Sequence, residues 1–274
     1  MTAARLTAEF VGEPDRRIFV LAHHPESFNG RCVLVCPPFA EEMNKSRRML
    51  TELAGLLASR GVALVIPDLY GTGDSEGDFS DATWGRWLAD LATSERWIEA
   101  RGWRVDAMLG IRLGCVLAAQ YAATRTSPLN RTVFWQPVTE GARALDQFLR
   151  LRVAASLMSD VKETTADLKA RFAAGEAVEV AGYAVAPALA RELEQASLLK
   201  SINRHAGTVH WFEVLRAADA PLPVPAVKAM EQLRQQLDAT LHPVVGEPFW
   251  ATTEVMINPA LLAETAASLA GASS

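Results

Sequence analysis

Short apolar runs alternate with amphipathic stretches along most of this chain. Two segments of alternating character, Leu6 to Val11 and Arg16 to Ala22, flank Gly12-Glu13-Pro14-Asp15, whose turn residues predict an opening antiparallel hairpin. The pattern then changes to continuous apolar runs: Cys32 to Cys36, Val62 to Ile66, Val105 to Leu109 and Thr132 to Trp135 read as strands buried on both faces. Helical spacing separates them at Ser46 to Arg60, through Trp87, Leu91 and Ile98, and at Gly114 to Ala123. Strands and helices in this order predict parallel βαβ units and an α/β fold, its sheet opened by the hairpin and covered by helices on both faces.

From Thr139 to Arg204 the rhythm is broken by stretches rich in Ala, Leu, Glu and Arg, which predict a helical lid inserted before the last two strands. The alternation resumes with a strand at Val209 to Leu215, a helix at Ala226 to Leu237, a strand at Pro243 to Val245 and a helix at Pro259 to Leu269. The expected organisation is a core of residues 1–138 and 205–274 with a lid of residues 139–204. Gly271 to Ser274 is expected to fray.

Composition narrows the function classes. Half of the 274 residues are apolar, enough for one large core, and the net charge of -5 lacks the basic stripe that nucleic-acid binding needs. Three cysteines, Cys32, Cys36 and Cys115, are too few for a disulfide framework or a four-ligand zinc site, which favours a reducing cytoplasm. No run reaches the length of a membrane span, and Met1 to Phe10 has no signal-peptide core. The histidines, His23, His24, His205, His210 and His242, show no metal-ligand spacing, and no cofactor is expected.

Ligands in open α/β sheets lie beyond the carboxyl ends of the strands, so the loops there carry the candidate chemistry. Asp68-Leu69-Tyr70-Gly71-Thr72-Gly73-Asp74-Ser75-Glu76-Gly77 resembles the Asp-x-x-Gly-x-Gly-x-Ser-x-Gly loop of α/β-hydrolases and reads as structural turn chemistry. Gly110-Ile111-Arg112-Leu113-Gly114 lies where that fold places Gly-x-Ser-x-Gly. Its centre is Arg112, a permanently protonated side chain that offers only donors and cannot attack a carbonyl. Asp219 follows a strand where a triad acid is expected, and it also suits a turn or a helix cap. After the last strand, Phe249 or Trp250 stands where the base would be.

The loop after the first parallel strand, with Phe39 and Ala40, is the expected oxyanion loop, and Leu113 belongs with Arg112 and Lys45 to the expected anion-binding elbow. Arg112 at a helix N-terminus, with Lys45, Arg47 and Arg48 adding positive potential, forms a candidate site for a carboxylate, phosphate or sulfate. The competing reading pairs Arg112 with an internal carboxylate such as Asp219 or Glu247. Trp135 and Gln136 open the lid directly after a strand and are expected to line the pocket with Phe249 and Trp250. Cys115 is a remote candidate thiol, and Ser46 and Ser75 read as capping or turn residues.

These segments, together with Pro37-Pro38-Phe39-Ala40-Glu41-Glu42-Met43-Asn44-Lys45-Ser46-Arg47-Arg48, Gly182-Tyr183 and Gly246-Glu247-Pro248-Phe249-Trp250, resemble the hydrolase 2 proteins associated with exosortase A systems. The resemblance implies an α/β-hydrolase fold with a setting in exopolysaccharide production and PEP-CTERM protein sorting. It also implies that Arg112 is a family trait, and it brings no substrate. Two functions stay open. One is hydrolysis of an ester, thioester or acylated saccharide without a Ser-His-Asp triad. The other is a pseudo-hydrolase that binds a small anionic ligand or a protein partner, with homo-oligomer formation also open.

Overall fold

The computed structural model describes residues 4–26, 28, 30–157 and 162–270. The expected tail at Gly271 to Ser274 and the first three residues lie outside the described residues. Among the described residues, ten strands form one eight-stranded sheet and one separate hairpin. They are β1 (Arg5–Val11), β2 (Ile18–His24), β3 (Arg31–Cys36), β4 (Ala63–Pro67), β5 (Arg104–Ile111), β6 (Arg131–Trp135), β7 (Val178–Val180), β8 (Tyr183–Val185), β9 (Thr208–Leu215) and β10 (Ala239–Val245). The large sheet has the order β1-β2-β4-β3-β5-β6-β9-β10. The β1–β2 and β2–β4 pairings are antiparallel and every other pairing in that sheet is parallel.

The helices are α1 (Glu42–Ala58), α2 (Trp84–Glu99), α3 (Gly114–Thr124), α4 (Gly141–Ser156), α5 (Thr165–Ala173), α6 (Pro187–Gln195), α7 (Leu198–Ser201), α8 (Val224–Leu233) and α9 (Pro259–Ala270). Side chains of a strand alternate between faces, and β3 shows why its run is uniformly apolar. Cys32, Leu34 and Cys36 enter the core shared with α2, α3 and α8, whereas Val33 and Val35 enter the opposite core with α1 and α9. No helix among the described residues is long and apolar enough to cross a membrane.

Several elements differ from expectation, β2 and α8 by a shift of a few residues at their ends, and three of the differences have clear local reasons. Helix α1 starts at Glu42 and not at Ser46, because Met43 extends the buried stripe by one turn and the Ser46 hydroxyl donates back to the Glu42 carbonyl (2.7 Å). Strand β10 runs for seven residues through Pro243, which an edge strand tolerates because one side of its ladder needs no donor. Between β6 and β9 the helices are joined by the β7–β8 hairpin, whose turn residues Ala181 and Gly182 both have positive φ (51° and 86°). That geometry matches the right-handed twist of short paired strands. Here α4 and α6 pack together, and Phe148 of α4 meets Phe39 edge to face at 5.0 Å, above the carboxyl end of β3.

Candidate functional site

The sharp turn between β5 and α3 is held by its backbone. Arg112 sits at φ 55°, its N–H donates to the Trp135 carbonyl (2.9 Å), and its carbonyl accepts from Cys115 and Val138 (3.2 Å each). A Cβ on Gly114 would lie 2.1 Å from the Cys36 carbonyl oxygen, and one on Gly110 would lie 2.6 Å from Cys115 Cα. Both flanking positions therefore exclude any side chain, while these two backbone clashes place no such limit on the tip residue.

The Arg112 side chain is 13% exposed and all three of its nitrogens are engaged. Nε donates to Glu42 Oε1 (3.1 Å), Nη1 to the Gln136 carbonyl (3.2 Å) and Nη2 to Gln147 Oε1 (3.3 Å). The guanidinium also lies 4.9 Å from the centre of the Trp250 ring, a cation–π distance. Four chain segments thus converge on one cation: α1, the end of β6, α4 and the loop after β10.

Internal pairing holds, with Glu42 as the partner and neither Asp219 nor Glu247, both of which are exposed. Burial pushes the Glu42 carboxyl above its ordinary range. The Arg112 charge and hydrogen bond pull it back, Glu41 pushes it further up, and Lys45 pulls it down.

Around this pair lies a cleft of about 240 Å³. One end carries Glu41, Glu42, Lys45, Arg112 and Gln147, and the remaining wall is Phe39, Leu113, Val138, Ala144, Phe148, Leu151, Trp250 and Ala251. None of these side chains is a hydroxyl, thiol or imidazole. The backbone N–H groups of Phe39 and Leu113 have no acceptor among the described residues. Ala40, at φ 51°, turns the chain into α1 and lines a neighbouring small void instead of the cleft.

The positive mouth expected from Lys45, Arg47 and Arg48 does not form. Arg47 pairs with the buried Asp68 (3.0 Å), Arg48 with Glu52 (2.6 Å) and Lys45 with Glu41 (3.7 Å). Only Lys45 of the three reaches the cleft, and its negative neighbours balance it.

Of the residues expected to line the pocket, Trp250 does so. Trp135 is fully buried on the opposite face, donating Nε1–H to Thr265 Oγ1 (2.8 Å), and Phe249 packs against it there at 5.7 Å. Gln136, at φ 44°, offers Arg112 its carbonyl while its side chain turns into the sheet. Nε2 donates to Glu213 Oε1 (2.8 Å) and Oε1 accepts from the Val214 N–H (2.6 Å). Glu213 is buried and also accepts from Trp211 Nε1 (2.8 Å), and burial pushes its carboxyl up. Asp219 stands in the loop between β9 and α8, away from the residues that line the cleft.

The alternative nucleophiles have structural occupations. Ser75 Oγ donates to the Asp68 carbonyl (2.5 Å) and accepts from the Phe19 N–H (2.8 Å). Cys115 is fully buried with its thiol pushed well up by burial. His210 and His242 face each other at 3.1 Å across β9 and β10, outside the cleft. Among the described residues, no group of three His, Cys, Asp or Glu side chains is disposed to hold a metal.

Glu42 and Gln147 are the site residues that sequence reasoning missed. Glu42 had a usable signal, because it follows Phe39-Ala40 on a loop at the ligand-binding edge of the sheet. Gln147 had none, since it reaches Arg112 only through the packing of α4.

No protein-family model and no curated protein matches the chain. Solved structures do. Est1E from Butyrivibrio proteoclasticus with ferulic acid bound is similar at TM-score 0.66 and 14% identity over 96% of each chain. Proline iminopeptidase from Mycobacterium smegmatis is similar at 0.61 and 15% over 96% of this chain and 97% of that one. The carboxylesterase Cest-2923 from Lactobacillus plantarum WCFS1 is similar at 0.56 and 13% over 92% and 88%. At such identities the likeness is one of fold, and with the sheet order and the β5–α3 turn it gives the conclusion that this chain adopts the α/β-hydrolase fold.

Proposed function

We propose that this protein binds a small anionic molecule in the cleft at Arg112 and does not carry out serine-type hydrolysis. The observation that carries the reading is the guanidinium at the tip of the β5–α3 turn, facing a cleft whose lining holds no hydroxyl, thiol or imidazole. General-base activation of a hydroxyl needs nucleophile, imidazole and orienting acid in contact, and an arginine can take none of those roles. It can hold an anion, helped by the N-terminus of α3 and by the free N–H groups of Phe39 and Leu113. The chain between β6 and β9 serves in this reading as the lid over the ligand, because Phe148 and Leu151 of α4 form one wall.

The test is paired. A fluorophosphonate probe and a panel of acyl esters and thioesters are expected to give neither labelling nor turnover. Calorimetry is expected to show binding of small carboxylates that Arg112→Gln abolishes while the circular dichroism spectrum is retained. Labelling by the probe, or carboxylate binding unchanged in the variant, refutes the reading.

A second reading has its own support: the Phe39 and Leu113 N–H groups could stabilise an oxyanion and Glu42 could serve a water molecule as base. It assigns hydrolysis of an ester, thioester or acylated saccharide, in the exopolysaccharide and PEP-CTERM sorting context that the resemblance suggests. Ester turnover lost in Glu42→Gln, with no covalent labelling, would favour it.

A further inference from the structure

The Arg112 fork is occupied in an unusual way. Its one ionic contact is a single oxygen of Glu42 on Nε, and both terminal nitrogens are spent on neutral amide oxygens, Gln136 O and Gln147 Oε1, at 3.2 and 3.3 Å. A guanidinium binds a carboxylate best through two parallel bonds, and that arrangement is unfilled here. The Nε and Nη2 edge is held by two side chains on separate helices, Glu42 on α1 and Gln147 on α4, each through its terminal oxygen and not through its backbone. Nη1, by contrast, is fixed by a main-chain carbonyl.

We propose that the cleft takes a monocarboxylic acid with an apolar arm. Its carboxylate replaces Glu42 and Gln147 on the Nε–Nη2 edge of Arg112, and Glu42 takes up one proton from solvent as it is displaced. This deepens the anion-binding reading and rests on it.

Charge bookkeeping requires the proton. The groups that face Glu42 are Glu41 and Lys45 on α1 and Arg112 at the tip of the turn, while α4 and the Trp250 loop present only uncharged side chains to the cleft. At the cleft itself two anions and two cations balance in the free state, and the buried Glu213 on β9, whose carboxyl also feels the Arg112 charge, adds no positive charge to offset a bound anion. A bound carboxylate would leave one excess negative charge in a desolvated space unless a carboxyl in contact with it is neutral, and Glu42 is the carboxyl whose burial already favours neutrality. As an acid, Glu42 can then donate a hydrogen bond to the ligand that replaced it. The arm finds Phe39, Phe148 and Leu151, the last of which is 42% exposed in the free protein. A cleft of about 240 Å³ lies below the range of drug-sized sites, roughly 300–1,000 Å³, so the arm is short.

The experiment is calorimetric titration of the full chain with octanoate and with cinnamate in Tris and in triethanolamine, cationic buffers that do not compete for Arg112. The buffer dependence of the enthalpy is expected to report uptake of close to one proton per ligand, with affinity falling as pH rises through the titration of Glu42 in the free protein. Glu42→Gln should bind both acids with no proton uptake and no such pH dependence. Binding without proton uptake in the wild-type chain overturns this inference and leaves the anion site standing, and the wild-type measurement decides even if the variant does not fold. Equal binding of octan-1-ol and octanoate overturns the carboxylate exchange. Failure of both acids to bind at any pH from 5 to 8 overturns the anion-binding reading as well.

Discussion

Arg112→Ala leaves the Glu42 carboxylate in its desolvated position without a counter-charge, and its cost can be worked from the pair's burial. Removing one partner of a fully buried ion pair costs about 3–5 kcal/mol, and an exposed pair is worth about 1 kcal/mol or less. With side chains 13% and 24% exposed, the Arg112–Glu42 pair lies nearer the buried limit. Two further acceptors, Gln136 O and Gln147 Oε1, lose their donor, although rearrangement or water can relieve each of them. The expected loss is about 3 kcal/mol at pH 8.

Its pH dependence carries the diagnosis. Without Arg112 the folded-state Glu42 carboxyl rises further above its unfolded value. The deficit is therefore smallest at the acid end, where the folded-state carboxyl is protonated with or without Arg112, and grows as pH rises through the folded-state value. Urea unfolding of the wild type, Arg112→Ala, Glu42→Gln and the double variant across pH 4 to 8 measures this. Glu42→Gln should restore about 1–2 kcal/mol in the Arg112→Ala background at pH 8, because it removes the uncompensated charge. A deficit that is flat with pH, together with additive single and double variants, would refute the electrostatic account of the site.

Further expectations follow from other features. Gly114→Ala forces a methyl against two backbone oxygens, Cys36 O at 2.1 Å and Pro37 O at 2.5 Å, and should cost more than about 3 kcal/mol in urea unfolding. Gly55→Ala, in α1 with open space around it, should instead stabilise by about 0.5–1 kcal/mol. Asp90 has its carboxyl pushed up to about 6 by burial, against the Tyr70 N–H and Arg86. Raised above its unfolded value, it favours the folded state below pH 4, and that contribution disappears as pH climbs to 6. The loss is at most about 3 kcal/mol, and Asp90→Asn should flatten this part of the stability profile. All three cysteines are buried, with the Cys32 thiol pushed up to about 12 and Cys36 and Cys115 well above their ordinary value. Native protein should react with a thiol reagent such as DTNB only at the rate of global unfolding, and fast labelling of Cys115 would revive a thiol mechanism.

The fold was legible wherever burial on two faces left a continuous apolar run. Strands β3 to β6 fall within a residue or two of expectation, because no alternative explains Cys32 to Cys36 or Val62 to Ile66 between amphipathic helices. It was less legible where one residue has two uses. Ser46 reads as a helix cap but bonds back inside α1, Pro243 reads as a strand start but sits mid-strand at an edge, and Ala181-Gly182 is a weaker hairpin sign than Asn-Gly. The site divides in the same way. Arg112 between Gly110 and Gly114 could be located because its constraint is local backbone sterics. Trp135 and Phe249 could not be assigned a side, since β6 is apolar on both faces and parity alone does not say which face meets α9. Glu42 could not be singled out, because three cations follow it in sequence and only the structure shows that each of them has its own carboxylate, on α1, before it, or in the Asp68 loop.

Exchanging a nucleophile for a guanidinium alters what the surroundings of this turn must supply. A serine there needs a group that accepts and returns its proton, placed on the loop after the last strand. An arginine holds its protons at every physiological pH, so its neighbours must instead supply acceptors and a counter-charge. The loop after the last strand accordingly contributes the face of Trp250, which stacks on the cation and exchanges nothing. The counter-charge comes from the other side of the cleft, on α1, and Glu42 is the one titratable group in contact with Arg112 among the described residues. The carboxylate in direct contact with the cation is therefore carried by α1, while the buried Glu213 of β9 feels the same charge without touching it. That placement is what distinguishes the proposed anion site from a serine site with a missing part. It also makes Glu42, more than the arginine beside it, the residue whose titration reports what the cleft does.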